Sequence, residues 1–186
     1  MSTPPLSGIR VLDLSRVLAG PWCTMTLGDM GAEIIKVENP GTGDDTRHWG
    51  TAMPGGERTY YLGANRNKQS IAIDLANPEG QKLVRALAEK SDVMVENFKL
   101  DGLKKYGLDY DSLKAANPRL IYCSISGYGR TGPGRARAGY DFIIQGEAGM
   151  MSITGERDDA PGGGPQKVGV AVSDVMTGMY LSLIHI

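Results

Sequence analysis

Histidine and cysteine are almost absent from this chain: its 186 residues hold two of each, along with two tryptophans and two phenylalanines. Cys23 and Cys123 stand far apart and form no close-spaced metal or redox motif, so the sequence offers no metal site. An excess of charge is missing too. Twenty Lys and Arg face 21 Asp and Glu without a run of like sign, which argues against nucleic acid or an anionic membrane as partner. No apolar run approaches a membrane span. The start, Met-Ser-Thr-Pro-Pro-Leu-Ser-Gly, lacks the basic region and apolar stretch of a signal peptide. A soluble, reducing, cytoplasmic setting is the expectation. There is no internal repeat and no low-complexity tract. With 41% hydrophobic and 22% charged residues, the chain suits an ordinary globular domain.

Glycine is what the chain has in excess. Its 26 copies are about twice the usual share of roughly 7%. They cluster at Gly41–Gly43, Gly55–Gly56, Gly127–Gly134 and Gly162–Gly164, which suits either surface loops or loops that line a ligand.

Between these clusters, short apolar runs alternate with helical periodicity. Ile9–Leu14, Ala32–Glu38, Ser70–Leu75, Asp92–Glu96 and Leu120–Ser126 read as strands, several apolar enough to be buried on both faces. Pro21–Met30 reads as a helix ending at Gly31. Asn77-Pro-Glu-Gly opens a clearer one, with a capping Asn, a first-turn Pro and a dipole-favouring Glu. Leu83, Val84, Leu87 and Ala88 share its expected buried face. A shorter helix spans Tyr110–Ala116. This βαβα alternation predicts an α/β fold, a Rossmann-like parallel sheet covered by helices, with ligands beyond the carboxyl ends of the strands. Ser15–Gly20, Glu38–Gly43, Asn97–Lys99 and Gly127–Gly132 are then candidates for the binding edge. Near the end, an apolar run at Val168–Val172 leads through Ser173-Asp174 into another helix.

Gly127-Tyr-Gly-Arg-Thr-Gly132 matches the spacing of a dinucleotide fingerprint and follows a predicted strand. Such a fingerprint needs a helix to begin within it, and Pro133-Gly134 follows at once. A nucleotide-binding oxidoreductase is therefore the weaker reading. The last six residues, Leu181-Ser-Leu-Ile-His-Ile186, look like a translated sequencing adapter; the alternative is a genuine apolar helix. On the adapter reading His185 has no role and His48 is the remaining histidine.

Seven stretches in series resemble the class III CoA-transferases, the family of formyl-CoA transferase and carnitine CoA-transferase. They are Leu6–Ser15 with Leu18-Ala-Gly-Pro21; Leu27–Glu38; Gly43-Asp44 with Arg47; Asn65–Leu75; Asp92–Phe98; Gly127-Tyr-Gly129 through Gly139-Tyr-Asp141 and Gln145; and Val168–Gly178. The resemblance implies that residues 6–180 are the amino-terminal part of the large domain. It also implies a smaller second domain, a glycine-rich loop from later sequence near the site, and two chains interlocked as a homodimer. The substrates would be an acyl-CoA and a small carboxylic acid, with no tightly bound cofactor and CoA entering as its thioester.

By matching positions, the family's CoA groove falls on Val17 and Leu18, on Ile73, Asp74, Leu75 and Ala76, and on Asn97, Phe98 and Lys99. Lys105 stands where the family often has an arginine near the CoA phosphates, and Asn39 where an arginine can contact the nucleotide. Ala138, Gly139, Tyr140 and Asp141 would flank the thioester. Without the resemblance, Asn97 reads as a strand-ending turn residue, Lys99 and Lys105 as solvated charges, and Arg47 and His48 as a solvated loop.

The resemblance places the nucleophile at Asp174. A carboxylate suits CoA exchange between acids, passing through an aspartyl anhydride and an aspartyl-CoA thioester, with backbone N–H groups stabilising each oxyanion. The competing reading of Asp174 is a helix N-cap after a strand at Val168–Val172. Racemases of the family carry a histidine where this chain has Tyr140, and tyrosine is far from a base tuned to neutral pH, so transfer is favoured over racemisation. A non-catalytic fragment stays open as a third class. Leu18 stands where formyl-CoA transferase has a glutamine, which disfavours a formyl/oxalate pair. The blocks look closer to relatives that use succinyl-CoA and a dicarboxylic acid.

Overall fold

The computed structural model describes residues 3–184. Five parallel strands, β1 (Arg10–Asp13), β2 (Glu33–Glu38), β3 (Lys68–Ala72), β4 (Val93–Glu96) and β5 (Ile121–Ser124), form one sheet in the order β3-β2-β1-β4-β5. All five are the strands expected from the sequence, with ends that agree or differ by at most three residues. The chain leaves β1 toward β2 on one side and later returns to place β4 on the other. The carboxyl ends of β1 and β4 therefore bound the crevice where ligands bind in open α/β sheets.

Alternation along the strands sends residues to two cores. Val11, Ile34, Val93 and Val95 meet Cys23 and Leu27 of α1 (Ala19–Asp29) on one face. Leu12, Val37 and Met94 meet Val84 and Ala88 of α3 (Pro78–Glu89), together with Leu113 of α4 (Tyr110–Leu113), on the other. Two expectations fail at the margins. Strand β3 lies on the sheet edge and is largely exposed, Ile71 included, because an edge strand has one neighbour and little covering it. Leu83 is exposed while Val84 and Ala88 are buried, so the inward stripe of α3 is narrower than its periodicity suggested. Asn77 does cap α3, its side chain accepting from the N–H of Glu79, and Pro78 opens the helix. The helix expected over Tyr110–Ala116 is a single turn.

Residues 127–132 form turns and open no helix, as the proline predicts; the helix that follows, α5 (Asp141–Glu147), starts well beyond them. There is no strand at Val168–Val172. The backbone bends at Gly169–Val170 and enters α6 (Val172–Ile184) directly. This helix continues through Leu181–Ile184, while His185 and Ile186 of the suspected adapter lie outside the described residues. Its contact with α1 depends on Gly178, where a Cβ would sit 2.6 Å from the Ala19 carbonyl oxygen. Leu181 packs against the Cys23 and Leu27 core. The two helices therefore run side by side, and the start of α6 projects past the start of α1 to the carboxyl edge of the sheet. No described helix is long and apolar enough to cross a membrane.

Candidate active site

A groove of about 250 Å³ opens along that edge, spanning the ends of β3, β2, β1 and β4. Ile73, Asp74, Leu75 and Ala76 form one wall, with Phe98 and Tyr106 opposite; Leu14, Arg16, Asn39 and Asp44 contribute between them. Five of the fifteen residues proposed from sequence therefore meet in one cavity. Lys99 and Lys105 are exposed outside its lining, Lys105 with its ammonium over the Tyr106 ring at 4.6 Å. Asn97 is also outside, and its amide is already used. The carbonyl oxygen accepts from the Arg16 N–H at 2.9 Å, and the amide nitrogen donates to the Arg16 carbonyl at 2.7 Å. Asn97 thus ties the end of β4 to the turn after β1.

That turn is held from below by charges the sequence reading did not single out as a group. Lys36, at the centre of β2, is fully buried and donates to the Ser15 carbonyl at 2.8 Å and to Asp44 at 2.9 Å. Asp44 in turn accepts from the Val17 N–H at 3.3 Å, and from Thr46. Val17 sits at φ 70°, a conformation a β-branched residue rarely adopts, at a cost of ~1–3 kcal/mol. The clamp of Asn97, Lys36 and Asp44 holds that strained residue in place. Its neighbour Leu18 is buried at the start of α1.

The network extends on both sides. Asp13 accepts from Lys68 at 3.0 Å and from Thr24 at 2.6 Å. Although burial alone would raise the Asp13 carboxyl, Lys68 and Lys36 hold it far below the usual carboxylate range. Glu38 behaves alike: burial opposes, yet Arg47, Ser70, the Asp44 N–H and Tyr61 bring it down to about 2. Arg47 makes a two-pronged bond to Glu38, 2.8 Å in each arm, and its guanidinium stacks 3.7 Å from the Tyr61 ring centre. The solvated-loop reading of Arg47 is therefore wrong, because Glu38 is buried and needs its counter-charge; His48 beside it is exposed as expected. The signal was present: Lys36 interrupts the apolar run Ile34–Val37 of an interior strand, and a lysine is rarely buried unless paired.

A second cluster forms where α5 meets α6. Asp174 is the third residue of α6 and not its cap. Its own N–H donates to the Asp141 carboxylate at 3.1 Å, so Asp141 supplies the capping bond. Gln145, fully buried one turn along α5, donates to Asp141 and accepts from the Val168 N–H at 2.9 Å. These bonds fasten residues 168–174 to α5 and take the place of the strand the sequence suggested. Burial first, and the Asp141 charge second, push the Asp174 carboxyl up to about 6. Tyr60, in the first turn of α2 (Thr59–Asn65), has its phenol raised by burial and then by Asp174, Asp141 and Asp44. Of the other proposed flanking residues, Tyr140 is 63% exposed and Ala138 is exposed. Gly139 packs against Gly127 so closely that a Cβ on it would lie 2.5 Å from the Gly127 Cα. Among the described residues no group of three or more His, Cys, Asp or Glu could hold a metal ion.

Residues 6–184 match the family model described as CoA-transferase family III. A succinate–glutarate CoA-transferase of Agrobacterium fabrum is 59% identical over 183 residues, covering 95% of this chain and 45% of that protein. A succinyl-CoA:glutarate CoA-transferase of Homo sapiens is 52% identical over 176 residues, covering 95% and 39%. The crystal structure of a CAIB/BAIF family protein from Brucella suis superposes with a TM-score of 0.91 at 53% identity, covering 98% of this chain and 48% of that one. The chain therefore spans less than half the length of these relatives.

Proposed function

The chain belongs to CoA-transferase family III, and from that premise we propose that the full-length protein carrying it moves CoA from an acyl-CoA to a carboxylic acid through Asp174. The observation that carries this reading is a half-buried carboxylate, raised to about 6 yet ionised at neutral pH, at the ligand-binding edge of a family member. Asp174 attacks the thioester carbonyl, expelling CoA thiolate and forming a mixed anhydride. The thiolate then attacks the aspartyl carbonyl, which releases the donor acid and leaves an aspartyl-CoA thioester. The acceptor carboxylate attacks that thioester to give a second anhydride, and the returning thiolate takes the new acyl group and frees Asp174. The covalent route splits one difficult exchange into easier steps, and the activated anhydride is consumed at once by the CoA thiolate released beside it.

Within this reading residues 6–180 are the amino-terminal part of the large domain, and the groove of Ile73–Ala76 and Phe98 receives the CoA thioester. The Agrobacterium fabrum and Homo sapiens relatives act, by name, on succinate or succinyl-CoA and glutarate, which supports a succinyl-CoA donor and a dicarboxylic acceptor. A homodimer in a reducing, cytoplasmic setting completes the proposal. Exposed Phe142, Ile153, Val170, Met179 and Leu183 suit further covering of α5 and α6. The test is isotopic. A single turnover of succinyl-CoA with glutarate labelled in both oxygens of each carboxylate should leave one heavy oxygen on the peptide that contains Asp174. Transfer without label in that peptide would exclude the covalent route.

A further inference from the structure

We infer that Arg16 grips the phosphates at the nucleotide end of the CoA thioester, an assignment that rests on the transferase reading above. CoA is strongly anionic, whereas the groove is lined by three acids, Glu38, Asp44 and Asp74, and by two cations, Arg16 and Lys36. Lys36 is sealed against Asp44 with both side chains fully buried, so it is unavailable to a ligand. The lysines proposed from the sequence, Lys99 and Lys105, lie outside the lining. Arg16 is thus the accessible cation in the groove wall.

Its surroundings suit that task. The guanidinium lies 5.7 Å from the Phe98 ring centre, within range of a cation–π contact that orients its plane. Its ion pair with Asp45 is long, at 3.4 Å, and both side chains are about half exposed, so a phosphate can replace the carboxylate at little cost. A planar, permanently charged fork matches phosphate oxygens better than an ammonium does. The backbone is fixed on both sides, by Asn97 at Arg16 and by Asp44 at Val17, while the half-exposed side chain has only the long Asp45 pair and the Phe98 ring to exchange for a ligand. Rigid anchoring of a binding arm lowers the ordering cost of association. Asn97 is accordingly a positioning residue that acts through Arg16.

Calorimetry of the full-length protein with free CoA and with pantetheine, which lacks the nucleotide and its phosphates, tests the assignment. Neither ligand requires chemistry at Asp174, so failure of the catalytic reading would not alter the outcome. Arg16→Ala should weaken CoA about ten-fold or more and leave pantetheine unchanged, and Arg16→Lys should recover part of the loss. Asp45→Asn, which leaves the turn untouched, should tighten CoA by a few-fold on the order of the lost competing pair. Equal weakening of both ligands would mean that the turn had collapsed, and unchanged CoA binding would mean that Arg16 touches no phosphate. Either result overturns the assignment.

Discussion

The N–H of Asp174 donates to the carboxylate of Asp141 at 3.1 Å, so two acids 33 residues apart share one bond at the start of α6. The bond fixes the backbone beside the proposed nucleophile, and the Asp141 charge makes its ionisation harder. Burial is the larger cause of the raised Asp174 carboxyl and Asp141 the smaller. Transfer activity of the full-length protein should therefore rise with pH through about 6. Asp141→Asn keeps an acceptor for the N–H, removes the charge, and should move that limb part of the way toward lower pH. A pH–rate profile with an unmoved limb would contradict the electrostatic link.

Because the folded pKa of Asp174 lies above its ordinary value of 3.8, the fold disfavours its ionised form. That cost is absent below about pH 4 and fully present above about pH 6. Asp174→Asn should accordingly melt no lower than wild type at pH 8, as scanning calorimetry can check.

Acid should have the opposite effect at Glu38, which is lowered from 4.5 to about 2. Burial opposes this, and the bonds from Arg47, Ser70, Asp44 and Tyr61 outweigh it. A depressed carboxylate contributes stability above its unfolded pKa, and that contribution disappears as pH falls through the folded value. Melting temperature should drop between pH 4.5 and about 2, and the drop should be smaller in Glu38→Gln.

Lys36→Met would leave Asp44 buried without its cation and should cost ~3–5 kcal/mol. Adding Asp44→Asn should return part of that loss, because the two residues are directly bonded and their effects are coupled. Urea titration of the single and double variants measures the coupling. Strictly additive losses would show that the pair acts as two separate residues.

The five strands of a parallel sheet were legible because apolar runs, capping residues and glycine breaks agree with one another along Arg10–Ser124; their order was not, because it depends on tertiary packing. Ile73–Ala76 were proposed from the family resemblance alone, whereas the helix cap at Asn77 could be read as the strands were. The partnership of Lys36 with Asp44, and that of Arg47 with Glu38, could not. Each joins a strand residue to a loop residue whose position depends on tertiary packing, and a charge in a sequence looks solvated until its neighbours are known. The strand expected at Val168–Val172 failed for a related reason. Its apolar character was real, but Gln145 takes the Val168 N–H and the Val170 carbonyl, so no ladder forms. Asn97 follows β4 as a strand-ending turn residue should, and its pairing with the Arg16 backbone, 81 residues away, is one that no local pattern shows.

The most direct measurement is acyl transfer by full-length Asp174→Asn beside wild type, with each protein incubated with succinyl-CoA, trapped with hydroxylamine and digested for mass spectrometry. A covalent role predicts a modified Asp174 peptide in wild type alone. It also predicts a normally folded variant slowed by ~100-fold to 10,000-fold, equivalent to ~3–5 kcal/mol of barrier. A variant that folds normally and transfers CoA at the wild-type rate would contradict the account.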